Sequence, residues 1–316
     1  MDNLNDFWPQ ALSNTVWAYA TLEESHPMLF KKLADHIVAL DSLDSFSGQA
    51  LSNTVWAYAT AKESHPKLFQ KLANHIASLD NLNDFMPQHL SNIALAYATA
   101  RELHPKLFNK IANQIVTFDN LDKFKPQELS NTALAYATAK ESHPALFNKL
   151  ADHIVALDNL DKFKPQELSN TIWAYATAGE SHPALFQKLS DAAIRQQNEF
   201  DPQGIATFLW ANATNGQVDE NLFSSLVLAV KANLDKCNAQ DLANIAWAYA
   251  VANVDAPSVF NDEFINACIE KENDFIVEDF SQIHQWQLWQ QELNSSVSLP
   301  SSLQQKCYDA FVSKSS

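Results

Sequence analysis

A nine-residue phrase recurs at a fixed step through this chain. It reads SNTVWAYAT from Ser13 and from Ser52, SNIALAYAT from Ser91, SNTALAYAT from Ser130 and SNTIWAYAT from Ser169, a step of 39 residues each time. Two looser copies, ATFLWANAT from Ala206 and ANIAWAYAV from Ala243, follow at a step of 37, and an eroded copy is expected around SQIHQWQLW from Ser281. A step in the range of about 20 to 50 residues marks a stacked array, in which each unit buries its apolar face only against its neighbours.

The best-preserved copy, FKPQELSNTIWAYATAGESHPALFQKLSDAAI from Phe163 to Ile194, contains two helix starts. Pro165 and Pro183 both suit the first helical position, where no N–H is needed and the fixed φ is already helical. Between the helices, Gly179 here and Lys140, Glu141 and Ser142 in the preceding copy supply a tight connection. Leu168, Thr171, Ile172, Tyr175 and Ala176 fall at i, i+3, i+4, i+7 and i+8 and make the core face of the first helix. Ser169, Ala174 and Ala178 are small, which lets neighbouring helices approach closely. In the second helix Leu185, Phe186, Leu189 and Ile194 are expected to face inward, and Gln187, Lys188 and Asp191 to face water. Leu160 and Phe163 anchor the linker onto the stack.

No strand-type alternation is visible, and the chain has only four glycines. The expected fold is all-α, an α-solenoid of the HEAT, armadillo or tetratricopeptide kind. It would be a right-handed superhelix of seven to eight helix-turn-helix repeats of 37–39 residues. The repeats start near residues 9, 48, 87, 126, 165, 202 and 239 and fill 1–255, with a degenerate last repeat and helical cap over 256–316.

Cys237, Cys268 and Cys307 have no CxxC spacing, so neither a disulfide framework nor a zinc site is implied. No apolar run is long enough to span a bilayer, and Met1 is followed at once by Asp2 without a signal-peptide pattern. Residues 2–7, DNLNDF, repeat residues 80–85, the linker that closes a unit, so the chain is expected to open inside a preceding repeat. Net charge is −16, yet residues 62–195 hold 14 Lys and Arg against 14 Asp and Glu. The acidity therefore belongs to the two ends. Lys123, Lys125, Lys162 and Lys164 precede first-helix starts, and Lys62, Arg101 and Lys140 follow first-helix ends. They form either a plain solvated surface or a positive rail along the central repeats.

The phrase FKPQELSNTIWAYATA at Phe163–Ala178, with its period and order, resembles the octotricopeptide-repeat signature. It is similar too to related α-solenoids of the FAST-kinase-like group and of the kinetoplastid RNA-editing substrate-binding complex. The resemblance covers residues 1 to about 255, and HQWQLWQQELNSSVSLPSSLQQKCYDAFVS from His284 looks like the stretch that leads into a RAP domain in such proteins. The resemblance implies selective binding of single-stranded RNA in mitochondria or chloroplasts, in the service of transcript stability, processing or translation.

Once the core is assigned, one stripe of the first helix is left over. Asn14, Asn53, Asn92, Asn131, Asn170 and Asn244 occupy the same place on it, with Thr207 substituting once. A ladder of amides suits a base edge or an extended peptide, and equally suits bridges that hold repeats in register. Three residues before the Asn the chain varies through Ala11, Ala50, His89, Glu128, Glu167, Gly204 and Asp241, as a modular reader requires. Three residues after it stand Trp17, Trp56, Leu95, Leu134, Trp173, Trp210 and Trp247, placed either to stack on a base or to pack between repeats. His26, His65, His104, His143 and His182 lie a full repeat apart, which suits helix caps and not a shared metal. No nucleophile–base pair or phosphate loop stands out, so the expectation is a binding protein without cofactor, small-molecule substrate or membrane association. Its partner is single-stranded RNA or, in the alternative reading, an extended peptide on a protein scaffold.

Overall fold

Prolines open the helices, because a residue with no N–H and a preset φ fits a first turn whose amides lack partners. The computed structural model describes residues 4, 6–23, 26–216 and 218–315. Chain contacts divide it into two units, Met1–Ala156 and Leu157–Ser316, and each is described by itself. In the first unit the first helices of the repeats are α1 (Pro9–Thr21), α3 (Gly48–Thr60), α5 (Pro87–Ala100) and α7 (Pro126–Ala139). Its second helices are α2 (Pro27–Ala39), α4 (Pro66–Ser78), α6 (Pro105–Thr117) and α8 (Pro144–Ala156). In the second unit the corresponding sets are α9 (Pro165–Ala178), α11 (Pro202–Thr214), α13 (Ala239–Ala252) and α15 (Val277–Glu292), then α10 (Pro183–Arg195), α12 (Glu220–Asn233), α14 (Asp262–Glu270) and α16 (Ser301–Ser315).

Each unit is thus an all-helical solenoid of four helix pairs, with no strand among the described residues. First helices pack chiefly on first helices, α1 on α3, α3 on α5 and α5 on α7, while α2, α4, α6 and α8 follow one another in a second row. Ala57, Ala96 and Ala135 are buried where the first helices meet, and their small side chains allow the close approach. No helix is long and apolar enough to cross a membrane among the described residues. Of the opening DNLNDF phrase, residues 2, 3 and 5 lie outside the described residues, and Leu4 is buried.

The joints between repeats are made by three side chains that return once per repeat. The Tyr58, Tyr97 and Tyr136 hydroxyls donate to the carbonyls of Phe30, Phe69 and Phe108, at 2.6, 2.7 and 2.6 Å, always 28 residues back. The same rings meet edge to face at centroid distances of 5.1, 5.2 and 5.2 Å. Such a pair adds about 0.5–1.5 kcal/mol beyond the area it buries. Tyr249 repeats the joint in the second unit, donating to the Phe223 carbonyl at 2.8 Å.

A lysine in each of α4, α6 and α8 plugs the end of the second helix before it. Lys71 donates to the carbonyls of Val38 and Leu40, Lys110 to those of Leu79 and Asp80, and Lys149 to those of Phe118 and Asp119. Within the second unit Lys188 donates to the Leu157 carbonyl. The sequence reading of Lys188 as a water-facing residue is thereby corrected. Helix C-terminal carbonyls lack intrahelical partners and carry partial negative charge, so a half-buried ammonium one repeat away is drawn to them. In the same helix Leu185, Phe186 and Leu189 are buried as expected, whereas Ile194 is only half-buried and Ala193 takes the buried place.

The third joint is the recurring histidine. His65, His104 and His143 cap α4, α6 and α8, each Nδ1 accepting from the N–H three residues on at 3.2–3.3 Å. An accepting Nδ1 leaves the proton on Nε2, which points at Asp35, Asn74 and Asn113 of the preceding repeat at 3.1, 2.9 and 3.3 Å. These histidines are caps and couplers. Among the described residues no group of three or more His, Cys, Asp or Glu could hold a metal ion.

Candidate functional site

A helix that is to present its first turn must first close its N-terminus, and here the closure explains the variable position before each asparagine. In α5 the Nδ1 of His89 accepts from the Met86 N–H at 3.2 Å. In α7 and α9 the Oε2 atoms of Glu128 and Glu167 accept from the N–H groups of Lys125 and Lys164, both at 2.8 Å. Met86, Lys125 and Lys164 have no side-chain acceptor of their own, so the third helical residue reaches back instead and forms half a capping box. In α3 and α11 the cap residue carries an acceptor and the third residue is small. Ser47 accepts from the Ala50 N–H at 3.2 Å, and Asp201 accepts from the Gly204 N–H at 2.6 Å. In α13 both halves exist between Asn238 and Asp241. Variation at this position follows the chemistry of the cap in α3, α5, α7, α9 and α11, and His89, Glu128 and Glu167, expected from the sequence as ligand readers, each make a cap bond.

His89 is buried, as Glu128 is. Its ring meets Phe85 edge to face at 6.4 Å, and a Cβ placed on Gly48 would stand 3.3 Å from its Nδ1, so glycine is what leaves room there. Burial holds the His89 pKa below its ordinary value. Burial likewise lowers His75 and His153, against the smaller opposing pull of Asp44 and Asp122. A histidine depressed in the folded state stabilises fully above its unfolded pKa of about 6.5 and loses that contribution as pH falls through it. His89→Glu, which copies the next two repeats, keeps an ionised cap throughout this window. The variant should therefore lose less stability than the wild type between pH 7.5 and 5.5, by up to about 1.4 kcal/mol, the most that one histidine can contribute one unit below an unfolded pKa of about 6.5, read from urea midpoints. Equal losses would mean that His89 protonation is not felt.

With the first turns closed, the asparagine stripe stands free. Asn53, Asn92, Asn131 and Asn170 are half-buried, Asn14 is exposed, and among the described residues no hydrogen bond engages their side chains. In the first unit Asn14, Asn53 and Asn92 line one open groove of about 470 Å³, with Trp17, Gln49, Gln88 and His89 around them. Trp17 and Trp56 lie side by side with centroids 6.4 Å apart and planes tilted by 37°. In the second unit the series behaves differently at its end. Asn244 accepts from Gln282 at 3.1 Å, and the Trp247 indole donates to Gln285 at 3.1 Å, so α15 engages the stripe of α13. Thr207, Trp173 and Trp210 are half-buried.

The lysines do not gather with the amides. Lys123 lines a separate cavity of about 360 Å³ with Asp84, Phe85, Met86, Phe118 and Asp119. Lys125 and Lys164 are the N-cap residues of α7 and α9, and Lys162 lies in the linker before α9. The side chains of all four are exposed, and none makes an ion pair or side-chain hydrogen bond among the described residues. Lys62, Arg101 and Lys140, just past the C-terminal ends of α3, α5 and α7, are equally exposed and unpaired.

The model of the RNA-editing substrate-binding complex 6 protein matches residues 84–293, about two thirds of the chain. No curated protein sequence gives a match.

Proposed function

The chain belongs to the RNA-editing substrate-binding complex 6 family, and from that premise we propose that it is a binding protein for single-stranded RNA and not an enzyme. One observation carries the reading: the amides of Asn53, Asn92, Asn131 and Asn170 return once per repeat, half-exposed and without a protein partner. An amide offers two donors and an acceptor with two lone pairs, the complement of an unpaired base edge. Trp17 lines the same groove with its aromatic surface, and Trp56 lies against it. The octotricopeptide resemblance supports a role in transcript stability, processing or translation in a mitochondrion or chloroplast, within an assembly of other proteins.

Charge sets the strength expected. Each phosphate neutralised contributes about −0.7 to the slope of log affinity against log salt for a single strand. With neutral central repeats and acidic ends, roughly two to four contacts are expected, and a slope of about −1.5 to −3. Fluorescence anisotropy with a random single-stranded RNA pool, titrated over salt, measures it. Absence of binding at low salt, where this contribution is greatest, would replace the reading with a scaffold that grips an extended peptide.

A further inference from the structure

Three cations in the first unit occupy backbone positions that a side chain ordinarily avoids. Lys62, Arg101 and Lys140 have φ of 56°, 58° and 57°, in the left-handed region. The bonds around them are constant. The N–H of each donates to the carbonyl three residues back, of Ala59, Ala98 and Ala137, at 3.2 Å, and the next N–H, of Glu63, Glu102 and Glu141, to the carbonyl of Tyr58, Tyr97 and Tyr136 at 3.0 Å. This helix-ending pair of bonds is usually completed by glycine. The fifth repeat shows the unstrained solution, since Gly179 holds the same place at φ 70° with the same two bonds.

Nothing steric demands a side chain there, because a Cβ on Gly179 would meet no atom within 4 Å. Packing does not explain the three residues either, for their side chains are exposed and without ion pair or hydrogen bond. The remaining local benefit is a cation near a helix C-terminus, which is small and screened at an exposed site. The left-handed place is kept in all four repeats of the first unit, by Glu23 at φ 55° in the first and by a cation in the next three, so the strain belongs to the helix end and what sets the three repeats apart is an exposed positive charge at a constant place. Of the other cations in the first unit, Lys71, Lys110 and Lys149 are committed to carbonyls, whereas Lys123 and Lys125 are exposed and uncommitted but do not recur once per repeat.

We propose that Lys62, Arg101 and Lys140 form a cation row that holds the phosphate chain of single-stranded RNA, one contact per repeat, while the asparagines read bases. The proposal rests on the RNA-binding reading and adds to it which residues supply the phosphate contacts. A phosphate chain fits better than an acidic peptide because the row has a strict one-per-repeat spacing, the register in which helical-repeat readers take one base per repeat.

The test is the triple variant Lys62→Gly, Arg101→Gly, Lys140→Gly in the full chain. Relief of strain should leave the melting temperature equal to the wild type or raise it by roughly 2–5 °C. Affinity for the random RNA pool should fall about a hundredfold at ~0.1 M salt, with the salt slope shallower by about 2, since three contacts at about 0.7 each are lost. Every RNA sequence should weaken alike. An unchanged slope in the variant, while the wild type binds RNA, overturns the row and leaves the RNA reading standing. Failure of the wild type to bind RNA at all overturns both. A melting temperature lowered by more than about 5 °C would show that the residues hold the helix ends.

Discussion

Replacing Tyr136 with alanine should lower the unfolding free energy by about 3–5 kcal/mol, the loss expected when a fully buried aromatic leaves a cavity. The ring is 1% exposed, lies edge to face on Phe108 at 5.2 Å, and donates its hydroxyl to the Phe108 carbonyl at 2.6 Å. Tyr136→Phe keeps the ring and removes only the hydroxyl, so about 0.5–1.5 kcal/mol is expected from that change. Urea unfolding followed by circular dichroism separates the two. In a stacked array a broken joint also weakens the coupling of neighbours, so the alanine variant should broaden the transition and lower its m value. An alanine variant that unfolds at the wild-type midpoint would show that the tyrosine joint does not hold the repeats together.

Replacing Asn53, Asn92 and Asn131 with alanine should weaken single-stranded RNA binding about a hundredfold while moving the melting temperature little. Loss of about 1 kcal/mol for each hydrogen bond to a base edge adds to roughly that factor. Stability is spared because these amides have no protein partner to lose. The chain supplies its own control in Asn244, whose carbonyl oxygen accepts from Gln282 at 3.1 Å. Asn244→Ala should lower stability by about 1 kcal/mol, since it strips a half-buried amide of its partner. Isothermal titration and thermal melts on the two variants read both effects. If the triple variant binds RNA as the wild type does, or melts far lower, the stripe is a register device and not a reading surface.

The repeat period, the helix pairs and the core face of each first helix are legible in the amino-acid sequence. Proline at a first helical position and apolar spacing at i, i+3, i+4 and i+7 are local signals, and Leu168, Thr171, Ile172 and Tyr175 are all buried. What local periodicity does not reveal are partners a whole repeat away. Lys188 sits on the polar side of its helix by spacing, yet its ammonium reaches a carbonyl 31 residues back. The Tyr hydroxyl bonds are hidden for the same reason, although spacing places the rings themselves in the core. The capping role of Glu128 and Glu167 has a visible signal, an acidic residue three places after the N-cap. It is obscured because the cap residues are lysines and not Ser, Thr, Asp or Asn. On the stripe itself the sequence leaves binding and bridging open, and the structure shows Asn92 without a hydrogen bond and Asn244 bridged to Gln282.

Identical joints have a genetic consequence. Tyr58, Tyr97 and Tyr136 each reach back 28 residues, and Lys71, Lys110 and Lys149 each reach back 31 to the end of the preceding second helix. Unequal crossing-over between two copies of the underlying DNA removes or adds one whole step of 39 codons. The new seam then finds its tyrosine and lysine at the same offsets and closes with the same bonds. Array length in the first unit is therefore open to inheritance as a copy number, and the span of ligand that such a chain can cover is able to grow or shrink in a single mutational event without a new interface having to evolve.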